Sequence, residues 1–274
     1  MKTLATTLIL LLALSQVAHA NGGEHFPFHV GEKLTYQIFW GPFIAGRATL
    51  EVAGIEEVDG RDCYHLIAQA KTSGLADFLF HVNSRSESWL DASELFTRRY
   101  RESRTEGKHS KATETRYDYA TGAAFTTNFI TGKLKNAPLN GPVQDMISSL
   151  YYVRTQPLAL DADSSFYVNV GGTNYTVTAC PDQRKTLWLR PLGDVPALRI
   201  EPKPTLTVVA ANKGRMWVWV SDDERKLPLL VFTDMKIGSA KLILYKVETA
   251  NPSAEVKRRV WSASEPATLS ASRD

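Results

Sequence analysis

Apolar and polar positions alternate with a period of two along most of this chain, which is the pattern of half-buried β-strands. Leu34 to Trp40 shows the pattern first, and Arg47 to Val52 and Cys63 to Ala70 repeat it after turn signals. Similar segments continue as far as Glu248, separated by turns rich in glycine, proline and asparagine. The pattern predicts a mainly β protein, an antiparallel β-barrel or curved half-barrel of about a dozen strands.

One segment, Pro142 to Arg154, instead has the 3.6-residue period of an amphipathic helix. Pro142 suits the first helical position, and Pro157 disfavours any helix beyond Arg154. Asp145 lies in the first turn, where a carboxylate interacts favourably with the helix dipole. The apolar stripe consists of Val143, Met146, Ile147, Leu150, Tyr151 and Val153. A lone helix with one apolar face must pack on the sheet, so we expect it at the centre of the barrel.

Arg154 falls in the middle of that apolar stripe, where a guanidinium must reach water or find a partner. Three interpretations are open at this point. The side chain could bond the last carbonyl groups of the helix. It could form an ion pair with Glu87 or Glu201 inside the barrel, or it could meet the anionic head of an apolar ligand.

The strands between Val82 and Tyr119 are polar on both faces. Ser84, Ser86 and Ser88 share one face of the first of these strands, and charged residues occupy much of the other. A solvated hairpin at a sheet edge would have this pattern, because charges there prevent aggregation. A wall between solvent and a partly polar interior, as in barrels that enclose ligands, would have it too.

Residues 1–20 have the features of a secretory signal peptide: Lys2, an apolar core from Leu4 to Leu14, and Ala18-His19-Ala20 at the cleavage site. The apolar core is too short to span a bilayer and no later segment is long enough, so we expect no membrane span. These features predict a soluble periplasmic protein with a single domain over residues 21–249. Residues 250–274 have the composition of a disordered tail.

The formal net charge of +3 argues against a nucleic-acid partner, which usually requires a clustered basic face. The two cysteines, Cys63 and Cys180, could form one disulfide in an oxidising compartment or remain as two buried thiols. They have no other cysteine or histidine at zinc-ligand spacing.

The sequence contains none of the common catalytic or phosphate-binding motifs. We therefore expect no enzyme, no cofactor and no metal site. A hydrolase in which Asp145, Ser148 and a histidine meet in space is the weakest hypothesis, and it requires a contact of about 3 Å between serine and histidine.

Several segments are distinctive when taken together. They are Gly31 to Tyr36, Trp40 to Val52, Ser84 to Ser88, Asp145-x-x-Ser148-x-x-Tyr-Tyr152-x-Arg154, and Val218 to Asp223 followed by Leu227-Pro228. In this combination the chain resembles a bacterial exported family, domain of unknown function 3108, over nearly all of Gly31 to Glu248. The resemblance implies a periplasmic β-rich domain and no established activity. The closing pattern Trp219 to Pro228 also resembles carriers of outer-membrane lipoproteins, in which a curved sheet wraps a helical lid and holds acyl chains.

We predict a periplasmic binding or carrier protein whose barrel, closed by the helix, holds an apolar or amphipathic, lipid-like ligand. The candidate ligand-binding residues are Arg154, Trp40, Tyr151, Trp217 and Trp219. The alternative is a packed structural or interaction domain of the cell envelope that binds no small ligand. In that case the charged strands from Val82 to Tyr119 face an envelope protein.

Overall fold

The computed structural model describes residues 26–139, 141–204, 215–234 and 238–249, and the short strand Arg259–Val260. The predicted signal peptide and all but two residues of the predicted tail lie outside these ranges. Within them the chain forms a 15-stranded sheet and two helices.

The helices are α1 (Gly74–Leu79) and α2 (Ser148–Thr155). The strands are β1 (Lys33–Trp40), β2 (Phe43–Val58), β3 (Arg61–Thr72), β4 (Val82–Asp91), β5 (Thr97–Glu106), β6 (His109–Asp118), β7 (Ala123–Asn128), β8 (Leu134–Pro138), β9 (Ser164–Val170), β10 (Thr173–Leu189), β11 (Gly193–Pro204), β12 (Met216–Ser221), β13 (Pro228–Asp234), β14 (Ser239–Glu248) and β15 (Arg259–Val260).

Neighbours in the sheet are neighbours in sequence, except that β1 pairs with β14. The order is β8-β7-β6-β5-β4-β3-β2-β1-β14-β13-β12-β11-β10-β9, and each of these pairs is antiparallel. The additional strand β15 pairs with β2 in parallel. The predicted mainly β, antiparallel, barrel-like fold is therefore confirmed.

The two ends of the strand order meet, so the sheet is strongly curved. Lys135 of β8 donates to the carbonyl of Gly171 at 3.2 Å, and Asn174 donates to the carbonyl of Pro138 at 2.9 Å. No strand pairing joins β8 to β9 among the described residues. The sheet therefore stays open between β8 and β9, and side-chain bonds to backbone carbonyls join its two edges in place of a backbone ladder.

The segment before α2 also joins β5 to β9, and it is not helical. The carbonyl of Val143 accepts a bond from the amide of Thr97, while the amide and carbonyl of Gln144 bond Tyr167 and Asn169 of β9. These bonds occupy the backbone groups that a helical turn would need. The predicted helix start at Pro142 is consequently wrong, since α2 begins at Ser148. Met146, placed on the predicted apolar stripe, is exposed.

Helix α2 packs on the sheet through two apolar clusters. Ile147 and Tyr151 contact Phe28, Val52, Leu66 and Leu90. Val153 packs with residues of β11 and β12, including Leu198 and Val218. The predicted central helix is thus present, although it is shorter than expected.

The sheet has two distinct ends. Helix α2 lies at the end where β1 and β5 begin, and we call this the helix end. Helix α1, the turn at Gly41 and the turn at Gly107 lie at the opposite end, because successive strands of an antiparallel sheet reverse direction. We call this the hairpin end.

Cys63 and Cys180 are buried and are not bonded to each other. Burial raises the pKa of the Cys63 thiol to about 12. The structure therefore has the two buried thiols, which was one of the two alternatives left by the sequence.

Candidate functional site on the inner face of the sheet

A buried ion pair fixes α2 to the sheet. Arg154 donates from Nη1 to Oε1 of Glu32 at 2.6 Å and from Nη2 to Oε2 at 2.9 Å, and its side chain is only 2% exposed. Nη2 also donates to the carbonyl of Pro27, and Nε donates to the carbonyl of Arg225. One guanidinium therefore joins the helix to the N-terminal segment and to the loop between β12 and β13.

The sequence correctly suggested an ion pair for Arg154 as one alternative, but both proposed partners are wrong. Glu87 bonds His65 and Arg85, and Glu201 bonds Arg215. The actual partner is 122 residues away in sequence. The curvature of the sheet brings Glu32 beneath the helix, and no local pattern encodes that contact.

A second buried charge, Asp145, organises the start of α2. Its carboxylate accepts hydrogen bonds from the hydroxyls of Ser88 and Thr97 and from the amides of Ile147 and Ser148. The prediction that Asp145 lies in the first helical turn is wrong, because α2 begins three residues later, at Ser148. The Asp145 carboxylate instead accepts bonds from the amide just before the helix and from the first helical amide. Burial raises the pKa of this carboxyl, and its hydrogen bonds offset only part of that rise.

Ser148 belongs to the same group of polar side chains. Its hydroxyl lies 2.7 Å from the Thr97 hydroxyl and accepts a bond from the amide of Asp145. Within the described residues, no hydrogen bond joins a serine hydroxyl to a histidine. The contact that the hydrolase hypothesis requires is therefore missing from this part of the chain.

Tyr151 is buried beside the ion pair. Its ring packs edge-on against Phe28 at 5.1 Å, and the guanidinium of Arg154 lies 5.5 Å from the ring centroid. Burial raises the pKa of the Tyr151 hydroxyl. That hydroxyl has no hydrogen-bond partner among the described residues.

The inner face of the sheet, defined as the face that contacts α2, has an apolar half and a polar half. Strands β1, β2, β3, β13 and β14 contribute half-buried apolar side chains toward the hairpin end: Ile38, Leu50, Ala68, Ala70, Val231 and Leu242. Strands β4, β5 and β6 contribute polar side chains to the same face: Ser84, Ser86, Glu102, Arg104, Lys111 and Thr113. The boundary lies between β3 and β4, where Ala68 is opposite Ser86.

The polar half is held together by charge pairs. Glu102 accepts a bond from Lys111 at 2.6 Å and pairs with Arg104 at 3.2 Å. Tyr100 donates to Ser86 at 3.3 Å. This arrangement fits the second interpretation of the polar strands, a polar wall facing the interior of the barrel.

The outer face of strands β2 to β6 carries a different set of charges. The ring nitrogens of His65 lie 3.1 Å from Glu56 and 2.9 Å from Glu87, and the imidazole stacks on Trp89 at 4.7 Å. Burial opposes a charged imidazole, but the two glutamates outweigh it and raise the pKa of His65. The pKa of Glu87 falls to about 2, because the bonds from His65 and Arg85 outweigh the effect of burial.

Glu114 is a second centre of charge on this outer face. Its carboxylate pairs with Arg99 at 2.6 Å, with Arg101 at 2.7 Å and with Arg116 at 3.0 Å. Many of the charges on these strands are therefore satisfied by one another.

The predicted ligand-binding residues lie on different elements of the fold. Arg154 and Tyr151 lie together at the helix end, whereas Trp40 lies at the hairpin end. Trp219 is buried in the apolar cluster of Leu34, Tyr36 and Leu244, against which the inner-face side chains Ile38, Leu50 and Leu242 pack. Trp217 packs against Phe232 instead, and the guanidinium of Arg199 lies 5.9 Å from the Trp219 ring.

Sequence reasoning missed Glu32, Thr97 and the His65 cluster. One signal was available, since the serine face of β4 indicated a polar interior and Ser88 indeed binds Asp145. Nothing in the sequence pointed to Glu32. Among the residues that the structure describes, no group of three or more histidine, cysteine or acidic side chains is arranged to hold a metal ion.

The fold places the chain in the class of barrel-like β proteins, and comparison with known proteins agrees. A β-barrel-like protein of domain of unknown function DUF1849 from Brucella abortus superposes with a TM-score of 0.55 at 8% identity, covering 81% of this chain and 98% of that one. The family model described as protein of unknown function, DUF3108, matches residues 35–245. The chain belongs to this family, and the resemblance predicted from its motifs is confirmed.

Two other structures are more distant. A proposed lipoprotein from Parabacteroides distasonis gives a TM-score of 0.30 at 6% identity, and a proposed exported protein with a YmcC-like fold from Bacteroides fragilis gives 0.30 at 12% identity. Each alignment covers 81% of this chain and 97% of the other. No curated protein matches the sequence. Neither helix in the described part of the chain has the length and apolar content needed to cross a bilayer.

Proposed function

We propose that this protein binds an amphipathic, lipid-like ligand on the inner face of its curved sheet, and that it does so in the periplasm. The observation that carries the proposal is the division of the inner face into an apolar and a polar half. An apolar surface with a few placed polar groups is typical of ligand sites. The predicted signal peptide supports the location.

In this proposal the ligand lies toward the hairpin end. The inner side chains there, such as Leu50, Ala68 and Ser86, are only half-buried. The helix end is occupied by α2, whose Arg154 already bonds Glu32 and two carbonyl groups. Arg154 thus serves to hold the helix in place, and an acyl chain would contact the apolar half of the sheet.

The alternative, an interaction domain that presents its charged strands to an envelope protein, has weaker support. Glu87 and Glu114 on the outer face are already bonded to several basic side chains. A partner would have to compete with these bonds for the same carboxylates.

Displacement of a fluorescent fatty-acid probe tests the proposal with a matched pair of variants. Ala68→Trp fills the boundary between the two halves of the inner face, and Gln69→Trp places the same side chain on the outer face. We expect probe binding by the wild-type chain, a loss of about tenfold or more in Ala68→Trp, and no change in Gln69→Trp. Circular dichroism must show both variants folded.

Absence of probe binding by the wild-type chain would refute the proposal. Equal losses in the two variants would refute it as well, because the effect would then not depend on the inner face. If Ala68→Trp does not fold, Ser86→Leu provides the same comparison with a smaller change, against Arg85→Leu on the outer face.

A further inference from the structure

Helix α1 has the reverse of the usual orientation for a surface helix. Leu75, Phe78 and Leu79 are spaced three and four residues apart, so they share one face. That face points to solvent: Leu75 is 74% exposed and Phe78 is 86% exposed, and no residue of α1 is buried. Amphipathic surface helices normally turn such a stripe to the core.

The polar side of α1 is the side bound to the protein. Asp77 accepts hydrogen bonds from Thr72 of β3 and from His81, which lies just before β4. The Thr72 hydroxyl also accepts a bond from the amide of Val82 at 2.8 Å. These bonds fix the helix with its apolar side outward, so the exposure is a built feature of the hairpin end.

Neighbouring turns add to the same exposed surface. Phe43, at 74% exposure, and Ile44 follow the β1–β2 turn, and α1 contacts β2. The ring of Phe80 lies next to Gly107 in the β5–β6 turn. We define the apolar rim as Phe43, Ile44, Leu75, Phe78, Leu79 and Phe80. Soluble proteins rarely expose so many large apolar side chains side by side.

Three basic side chains lie at the same end of the sheet as the apolar rim. Arg47 and Lys71 are cross-strand partners at the hairpin end of β2 and β3, and Lys108 follows Gly107 in the β5–β6 turn. None of the three forms an ion pair with a described carboxylate. The acidic side chains nearby are engaged, since Asp77 bonds His81 and Glu106 bonds Arg104.

We propose that the apolar rim is a membrane-docking surface that inserts into the headgroup region of an anionic bilayer. Phenylalanine and leucine side chains on a short protruding helix, with lysine and arginine around them, match the chemistry of interfacial binding. A second copy of the chain would bring the same basic side chains together and would be repelled. The C-terminal strand β15 pairs with Glu56 and Glu57, at the other end of β2.

Co-sedimentation with vesicles tests this proposal, which does not depend on the proposed ligand. The probes are vesicles of phosphatidylcholine alone and of phosphatidylcholine mixed with phosphatidylglycerol. We expect the full chain to bind the anionic vesicles more tightly, and the binding to weaken as salt is added. The variant Phe78→Ser/Leu79→Ser should lower the partition coefficient about tenfold or more on both kinds of vesicle.

The charge variant Lys71→Glu/Lys108→Glu should lower binding to the anionic vesicles about tenfold or more and leave binding to neutral vesicles unchanged. Two controls are matched in chemistry and lie away from the rim. Phe125→Ser/Trp188→Ser removes two exposed aromatic side chains, and Lys185→Glu/Lys246→Glu makes the same change in net charge. Both controls should bind vesicles like the wild-type chain.

Three results would overturn the proposal: no binding of the wild-type chain to either vesicle, equal losses in rim and control variants, or a dimer in analytical ultracentrifugation that Phe78→Ser/Leu79→Ser abolishes. The last result would assign the rim to a second copy. Fatty-acid probe binding should be unchanged in the rim variants, so the two proposals can fail separately.

Discussion

The two ends of the sheet treat charged and apolar side chains in opposite ways: one buries charges and the other exposes apolar groups. At the helix end, charged groups are buried and bonded, as in the pair of Arg154 with Glu32 and the carboxylate of Asp145. At the hairpin end, large apolar side chains are exposed and a polar group, Asp77, holds them there. The first arrangement holds α2 against the sheet. The second leaves large apolar side chains in solvent, and we expect it to contribute little to the free energy of unfolding.

The largest expected effect comes from breaking the buried ion pair. Arg154→Ala leaves the Glu32 carboxylate buried without its partner, and we expect it to lower the free energy of unfolding by about 3–5 kcal/mol. Urea denaturation measures this change. Arg225→Ala, which breaks the exposed pair with Asp223, should cost less than about 1 kcal/mol. Similar losses in the two variants would contradict the role given to the helix end.

Removing the buried Asp145 carboxylate before α2 should have the next largest effect. Asp145→Ala leaves two buried hydroxyls and two amides without their acceptor, and we expect a loss of about 3 kcal/mol. Asp145→Asn keeps one acceptor oxygen and should lose less. Urea unfolding measures the stability of both variants. Equal stability of Asp145→Ala and the wild-type chain would show that the hydrogen bonds to this carboxylate are dispensable.

Replacing a leucine with alanine should change stability by different amounts at the two ends of the sheet. Leu66→Ala opens a cavity beside α2 and should cost about 2–5 kcal/mol, whereas Leu79→Ala in the apolar rim should change stability by less than about 0.5 kcal/mol. Thermal and urea unfolding provide the measurements. A large loss in Leu79→Ala would mean that the rim is part of the core and not a free surface.

The smallest expected effect concerns pH. The pKa of His65 is raised above 6.5 in the folded protein, so its contribution is complete below pH 6.5 and is lost as the pH rises through the raised value. The pKa of Glu87 is lowered from 4.5 to about 2, so its contribution is present above pH 4.5 and is lost as the pH falls toward 2. His65 and Glu87 together favour the folded state most between pH 4.5 and pH 6.5.

His65→Gln should remove the decline in stability above pH 6.5. It should also lower the free energy of unfolding by on the order of 1–2 kcal/mol near pH 6. Urea unfolding at a series of pH values tests this. An unchanged alkaline slope in the variant would show that another group is responsible.

Local patterns predicted much of the fold, because period-two alternation and turn residues act over a few neighbouring positions. The strands β1 to β3 and the presence of a central helix followed from such patterns. The start of α2 did not, because the backbone of Val143 and Gln144 bonds Thr97 and β9, which only the curved sheet brings near. Local helix signals at Pro142 and Asp145 were outweighed by those long-range bonds.

The candidate site was harder to predict for the same reason. Arg154 attracted notice because a charge on an apolar stripe needs a partner, but its partner Glu32 is set by topology. The tryptophans were grouped by residue type, but Trp219 lies in the buried cluster with Leu34 and Tyr36, and Trp217 packs against Phe232. The exposure of α1 depends on the Asp77 bonds, which a sequence pattern of leucine and phenylalanine does not reveal.

Native mass spectrometry of the chain purified without detergent tests the central claim most directly. We predict that the wild-type chain carries lipid-sized adducts, or acquires them on incubation with a fatty acid, and that Ala68→Trp carries none while Gln69→Trp does. A bare protein mass for the wild-type chain under both conditions would contradict the claim that the inner face of the sheet holds a ligand.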